Sequence, residues 1–253
     1  MIWLRALLFQ IAFYLWTALL AVPGLPFLLA PPLAMMRFGT FWSRGTLFLL
    51  RICVGLDHDV IGRENLPAGP ALIAMKHQSA WDTFAAPVIF RNPAMVIKRE
   101  LAFIPFYGWY AMKAGMIAVD RAAGARALKR MVAASEKALA QGRPILIFPE
   151  GTRSAVGAAP RYQPGIIALY RQLGAPLVPV AVNSGLYWGR RRFLKRPGKI
   201  TVEILPAIAP GGERHRVMAE LERRIEEATA RLVASAEDKA VESGDLRVRE
   251  NRG

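Results

Sequence analysis

Ile145-Leu146-Ile147-Phe148-Pro149-Glu150-Gly151-Thr152-Arg153-Ser154 couples a four-residue apolar run to a polar, glycine-containing turn. Such a run is short for a helix and bounded by Pro and Gly, so it reads as a buried strand that delivers side chains to a loop. The same grammar recurs along the chain. Residues 71–75 lead into Lys76 and His77, residues 94–97 into Lys98 and Arg99, residues 116–119 into Asp120 and Arg121, and residues 177–182 into Asn183. Helix-prone segments at 81–90, 106–114, 126–140 and 165–173 separate these runs. Within 126–140, Leu128, Met131, Val132, Ser135 and Leu139 fall on one side, and Gly142 supplies a stop. A later strand is expected at 200–205. An amphipathic helix is expected at 213–235, where Val217, Leu221, Ile225, Ala228 and Leu232 keep helical spacing. Alternation of this kind predicts an α/β fold with a mostly parallel sheet flanked by helices. In an open parallel sheet the carboxyl ends of the strands share one edge, where ligands bind. The five polar strand ends, four of which carry a cation, should therefore meet in one crevice.

Outward from this core, the N-terminal region has a different chemistry. No residue from Ala6 to Met36 is charged, and apolar character resumes after Arg37 as far as Val54. A membrane-crossing helix needs roughly 20 apolar residues. Pro23, Gly24, Pro26, Pro31 and Pro32 break the run, so two helices are expected, at 2–21 and 38–54, joined by a bend in or near a bilayer. A cleaved signal would be followed by a polar mature start, which is absent here. Arg5 before the hairpin, and Arg37, Arg44 and Arg51 along its second arm, favour a cytoplasmic position for both ends. Residues 1–56 are thus expected to form a two-helix membrane hairpin, 57–235 an α/β domain, and 236–253 a polar, disordered tail. The expected location is the inner membrane, with the site on the cytoplasmic side. Cys53 is the single cysteine, which leaves no disulfide framework and no Cys-rich metal site; no metal site of any other kind is discernible. The net charge of +15 calls for anionic partners: nucleic acid, a membrane surface or a phosphorylated substrate.

His77-Gln78-Ser79-Ala80-Trp81-Asp82 carries the candidate chemistry. An imidazole suits the removal of a proton from a hydroxyl, and a carboxylate on its other nitrogen would fix the tautomer. Five positions turn about 140° around a helix, so the pair can meet only if His77 sits on the loop before the helix that holds Asp82. A competing structural account is a capping box formed by Ser79 and Asp82, and the two roles are compatible. In the Phe148–Ser154 turn, Gly151 permits close backbone approach, and Thr152 and Arg153 offer donors suited to a phosphate. The plain alternative there is a turn in which Glu150 and Arg153 pair with each other. For Gly115 through Arg121 a structural Asp120–Arg121 pair is the plain alternative, and for Lys98 a solvated lysine. His58 and His215 have no partner at useful spacing and are expected in solvent.

Four blocks in order resemble the glycerophospholipid acyltransferase family, particularly the members that acylate 1-acylglycerol 3-phosphate. These are His77 with Asp82, Gly115 through Arg121, Phe148 through Ser154, and Val178-Pro179-Val180. The family usually has Asn before the histidine, where this chain has Lys76. The resemblance implies an acyl transfer to the sn-2 hydroxyl with His77 as base and Asp82 as its support. It implies that Lys98 and Arg153 hold the acceptor phosphate, with Arg121, Glu150, Gly151 and Thr152 also in the substrate site. It implies acyl-CoA or acyl carrier protein as the donor substrate, no cofactor, and lysophospholipid and membrane lipids as partners. The transfer is expected to be direct, with backbone amides near Gly151 as candidate oxyanion donors.

Arg190, Arg191, Arg192, Lys195, Arg196 and Lys199, interleaved with Tyr187, Trp188 and Phe193, form the densest basic cluster. No nucleic-acid recognition fold accompanies it, so anionic headgroups are the expected partner and nucleic acid is not. Two other accounts stay open: the same chemistry on lyso-ornithine lipid or glycerol 3-phosphate, and a non-catalytic membrane-binding module.

Overall fold

Strand β5 (Ile145–Ile147) lies in the interior of a seven-stranded sheet, parallel to β2 (Leu72–Met75) on one side and β3 (Ala94–Lys98) on the other. The computed structural model describes residues 1–159 and 161–242. Beyond β3 the sheet ends in β4 (Ile117–Val119); beyond β2 it continues through β6 (Leu177–Val182), β7 (Gly198–Ile204) and β1 (Leu56–Ile61). The five strands anticipated as a parallel set are parallel, and β6 to β7 is the one antiparallel step. β1 was not visible in the sequence. Asp57, His58 and Asp59 break its apolar pattern, and as an edge strand it needs few core side chains. It is held by β7, including a Lys199–Asp59 pair at 2.9 Å.

Alternation along the strands sorts side chains onto two faces. Ile73, Met75 and Leu146 pack with Trp81, Ala85 and the end of the N-terminal helices. Leu72, Ala74, Ile145 and Ile147 pack with Met131, Val132, Ile166 and Leu169 on the opposite face. Each of the Leu, Ile, Val and Met side chains among these, fully removed from water, contributes about 1.5–3 kcal/mol. The first face is covered by α3 (Trp81–Ile89); the second by α5 (Gly124–Ala140) and α6 (Gly165–Leu173). The last helix, α7 (Arg214–Glu242), serves both, with Val217, Leu221 and Ile225 on one core and Val233 with Ala236 on the other. It therefore extends past residue 235, the expected end, because Ala236 still has apolar surface to bury and residues 236–242 are mostly good helix formers. The remainder of the expected tail, 243–253, lies outside the described residues.

The N-terminal pair consists of α1 (Ile2–Ala21) and α2 (Pro32–Leu49), the latter prolonged by a π-helical turn, Leu50–Val54, that ends at Gly55. Helix α2 starts six residues before the expected position 38, because proline at the first helical position loses no hydrogen bond and arrives with a helical φ. The two helices are tied by the Trp16 indole donating to the Trp42 carbonyl and the Trp42 indole donating to Thr17 Oγ1, both at 3.1 Å. Helix α1 has the length and composition to cross a membrane, and Trp3, Leu4, Leu15 and Leu19 are more than half exposed. Its inner side is not detached from the rest: Ala6 and Phe9 are buried, Phe9 in the same core as Ile73 and Trp81.

Candidate active site

β2 and β5 are neighbours, so their carboxyl ends place His77 beside the turn that follows Phe148. The imidazole lies flat on the Phe148 ring, with centroids 4.0 Å apart and planes 19° apart. Its Nδ1 is 2.8 Å from Asp82 Oδ2, which also accepts the Gln78 and Ser79 backbone N–H groups at 2.8 Å each. The other carboxylate oxygen accepts the Ser184 hydroxyl at 2.6 Å. Asp82 is fully buried, and both of its carboxylate oxygens have hydrogen-bond partners. Ser79 Oγ in turn accepts the Trp81 N–H at 3.2 Å, so only the Asp82 half of the expected capping box forms, and it shares the turn with the His–Asp pair. With Nδ1 facing a carboxylate, Nε2 is the nitrogen left to exchange a proton with a ligand.

Three further elements clamp this loop. Ser154 donates to the His77 carbonyl through its N–H at 2.9 Å. Gly185 N–H donates to Gln78 Oε1 at 3.0 Å, and any Cβ at Gly185 would sit 2.7 Å from Val156 and 3.1 Å from Gln78. Glu150 Oε1 accepts the His77 N–H at 2.8 Å. Glu150 is 4% exposed and does not line the cavity described below, so it braces the histidine's backbone instead of meeting a substrate as expected. Nor does it pair with Arg153; its cationic neighbour is Lys76 Nζ at 3.8 Å. Burial pushes the Glu150 carboxyl above the usual range despite that ammonium. Lys76, 1% exposed, donates to both oxygens of Glu226 on α7 at 2.7 Å, and Tyr162 donates to the same carboxylate at 2.8 Å. Lys76 is thus a buried ion pair linking the C-terminal helix to the histidine loop.

His77 opens onto a cavity of about 1480 Å³. Its apolar walls come from α1 (Phe13, Leu20), α2 (Met35, Trp42), α3 (Phe84) and α4 (Tyr107–Lys113), through Tyr110. Its charged lining residues, among those described, are Lys98, Arg153, Arg190 and Arg191; no carboxylate lines it. None of these four is paired with a carboxylate among the described residues. Lys98, at the end of β3, thus faces the cavity and not bulk solvent alone. Gly151 and Thr152 also line the wall, with Gly151 at φ +70°. The Gly151 N–H, however, donates to the Phe148 carbonyl at 2.9 Å, so it is spent on the turn and is not a free oxyanion donor.

The other strand ends are structural. Asp120 pairs with Arg99 at 2.6 Å and accepts the Ala122 N–H; both interactions hold its carboxyl below the usual range. The side chain of Arg121 lies outside the described residues. Asn183 donates to the Leu232 carbonyl and accepts the Thr201 N–H. His58 is not in solvent: it meets the Trp81 ring edge-on at 5.4 Å, and burial lowers its pKa. Ser184 and Gly185 were not singled out in the sequence. The signal available was their position just after Asn183, at the same sheet edge as the other polar ends.

Comparison with known proteins agrees with this architecture. The Acyltransferase family model matches residues 57–183. A 1-acyl-sn-glycerol-3-phosphate acyltransferase from Pseudomonas aeruginosa is 40% identical over 185 residues, 73% of this chain and 72% of the relative. The enzyme of the same name from Saccharomyces cerevisiae is 32% identical over 139 residues, 54% of this chain and 46% of the relative. The crystal structure of a 1-acyl-sn-glycerophosphate acyltransferase from Thermotoga maritima shares the fold, with a TM-score of 0.75 at 22% identity, covering 92% of this chain and 98% of that one. A family match across half the chain and a relative this similar along most of both lengths leave one conclusion: the chain belongs to the acyltransferase family that its four sequence blocks resemble.

Proposed function

We propose that the protein transfers a fatty acyl group from acyl-CoA or acyl carrier protein to the sn-2 hydroxyl of 1-acylglycerol 3-phosphate, giving phosphatidic acid. The observation that carries this is the His77–Asp82 pair opening onto a long apolar cavity whose charged lining is wholly cationic. His77 Nε2 takes the proton of the acceptor hydroxyl as its oxygen attacks the thioester carbonyl. Asp82 holds Nδ1 protonated and offsets the charge that develops on the ring. The tetrahedral intermediate collapses by breaking the C–S bond, and the leaving thiolate takes the proton back from the imidazolium. The acyl chain lies among the apolar walls, and Lys98 and Arg153 hold the acceptor phosphate. Helix α1, with its exposed apolar side, seats the protein in the inner membrane, with the site towards the cytoplasm.

A free-thiol release assay with lysophosphatidate and acyl-CoA tests the proposal. Wild type should release thiol only with acceptor present, and His77→Ala should lose about 10²–10⁴-fold in rate, the usual contribution of a general base. Equal rates in folded wild type and variant would sink it. Lyso-ornithine lipid and glycerol 3-phosphate in place of lysophosphatidate test the acceptor: the first has no phosphate for Lys98 and Arg153, and the second has a phosphate but no acyl chain for the apolar walls.

A further inference from the structure

The basic cluster anticipated as one headgroup patch is divided by the structure into three parts. Lys199 pairs with Asp59. Lys195 is 1% exposed and lies within 4.9–5.2 Å of the ring centroids of Phe9, Trp188 and Phe193. Only Arg190 and Arg191 line the cavity that holds His77.

These two arginines reach the cavity from the β6–β7 connection, a different loop from those that supply Lys98 and Arg153, and the loop is built. Lys195 Nζ donates to Gln10 Oε1 on α1 at 3.1 Å and to the Phe193 carbonyl at 2.9 Å. Arg196 N–H donates to the Tyr187 carbonyl at 2.8 Å, and Phe193 stacks on Trp3 at 5.4 Å. Arg191 itself sits at φ +57°, a region a bulky side chain enters seldom, and one that persists where the surroundings dictate it. A phosphate monoester carries close to two negative charges at neutral pH, which Lys98 and Arg153 match. Two further cations without carboxylate partners at the same cavity therefore call for a second anion.

We propose that Arg190 and Arg191 form a second anion subsite, which takes the phosphate groups on the phosphopantetheine arm of the acyl donor. This rests on the acyl-transfer reading above, which requires two substrates in one cavity. The acceptor brings one phosphate; the donor's carrier brings its own, whether coenzyme A or an acyl carrier protein. Guanidinium groups suit both, since they grip phosphate oxygens in pairs. The site thus sorts two phosphorylated ligands by loop: strand ends for the acceptor, the 189–192 turn for the donor.

The test uses full-length protein in neutral-lipid nanodiscs, wild type against Arg190→Ala/Arg191→Ala and Arg190→Lys/Arg191→Lys. Binding of coenzyme A and of holo-acyl carrier protein is measured by calorimetry, which needs neither acceptor nor turnover. The alanine variant should lose about tenfold or more in affinity for whichever carrier wild type binds, and the lysine variant should keep part of it. In turnover, the KM for the acylated carrier should rise, while the KM values for lysophosphatidate and for a phosphate-free acyl-N-acetylcysteamine thioester stay within about twofold. Carrier binding unchanged in the alanine variant overturns the subsite, as does a wild type that binds neither carrier. Loss of binding to anionic vesicles with carrier affinity intact would assign the arginines to headgroups instead. His77→Ala separates the two proposals: its turnover tests the base, while the loss of carrier affinity in the arginine variants tests the subsite whatever becomes of that turnover.

Discussion

The histidine loop and the cationic cavity wall lie at the same sheet edge and are built in opposite ways. Residues 77–82 are over-determined: Asp82 alone receives two backbone N–H groups, a serine hydroxyl and the imidazole. Glu150, Ser154 and Gly185 fasten the same loop from other elements. Lys98 and Arg153, by contrast, have no carboxylate partner among the described residues although they face the same cavity. On the reading proposed above, groups that hold one geometry are satisfied by the protein, and groups that grip a ligand are left for the ligand to satisfy. The cost of an unpaired cation is small where water reaches it and would be large in the core. That explains why the free cations lie at an open wall while Lys76, deep behind His77, is fully paired.

This contrast can be broken from either side. Asp82→Asn is nearly isosteric and keeps the loop's shape, so its effect should fall on chemistry: kcat reduced by about 10²–10⁴-fold, with thermal stability little changed. A kcat near that of wild type would mean the carboxylate only caps the turn. Lys76→Met removes the cation between Glu150 and Glu226 and strands the buried Glu150 carboxyl, which should cost about 2–4 kcal/mol of unfolding free energy in chemical denaturation, less than a fully buried pair because Glu226 is partly exposed. Loss of less than about 1 kcal/mol, within the range of exposed pairs, would show that this pair is solvated rather than built in. Arg153→Ala should do the reverse, leaving stability within about 0.5 kcal/mol and raising the acceptor KM roughly 10- to 100-fold at similar kcat. If its melting temperature falls and its KM does not, Arg153 belongs with the clamped loop.

Much of the sheet was legible because its central strands are buried on both faces, and continuous apolar runs such as Leu177–Val182 match their observed ends. Helix α6 was placed to the residue for a related reason, with Pro164 before it and Gly174 in a left-handed conformation after it. Strand β1 was hidden because an edge strand can be half polar, as Asp57, His58 and Asp59 make this one. The site was legible as a meeting of motifs, since parallel strands force their carboxyl ends together. The partners within it were not. Glu150 could pair with Arg153 by sequence distance; in the fold it reaches His77 and Lys76, because the turn directs its carboxylate inward beneath the β2 end. Nothing in local spacing announces Glu226, which lies 150 residues from the lysine it holds. Ser184 is likewise 102 residues from Asp82, and only the adjacency of β6 to β2 brings them together.

Helices α1 and α2 supply both outward-facing apolar surface and part of the chamber lining, through Phe13, Leu20, Met35 and Trp42. Truncating these two helices would therefore open the chamber as well as remove the apolar outer surface, leaving the His77–Asp82 pair in an open trough. The outward-facing apolar surface and the chamber wall are the same piece of chain, so neither can be altered without the other.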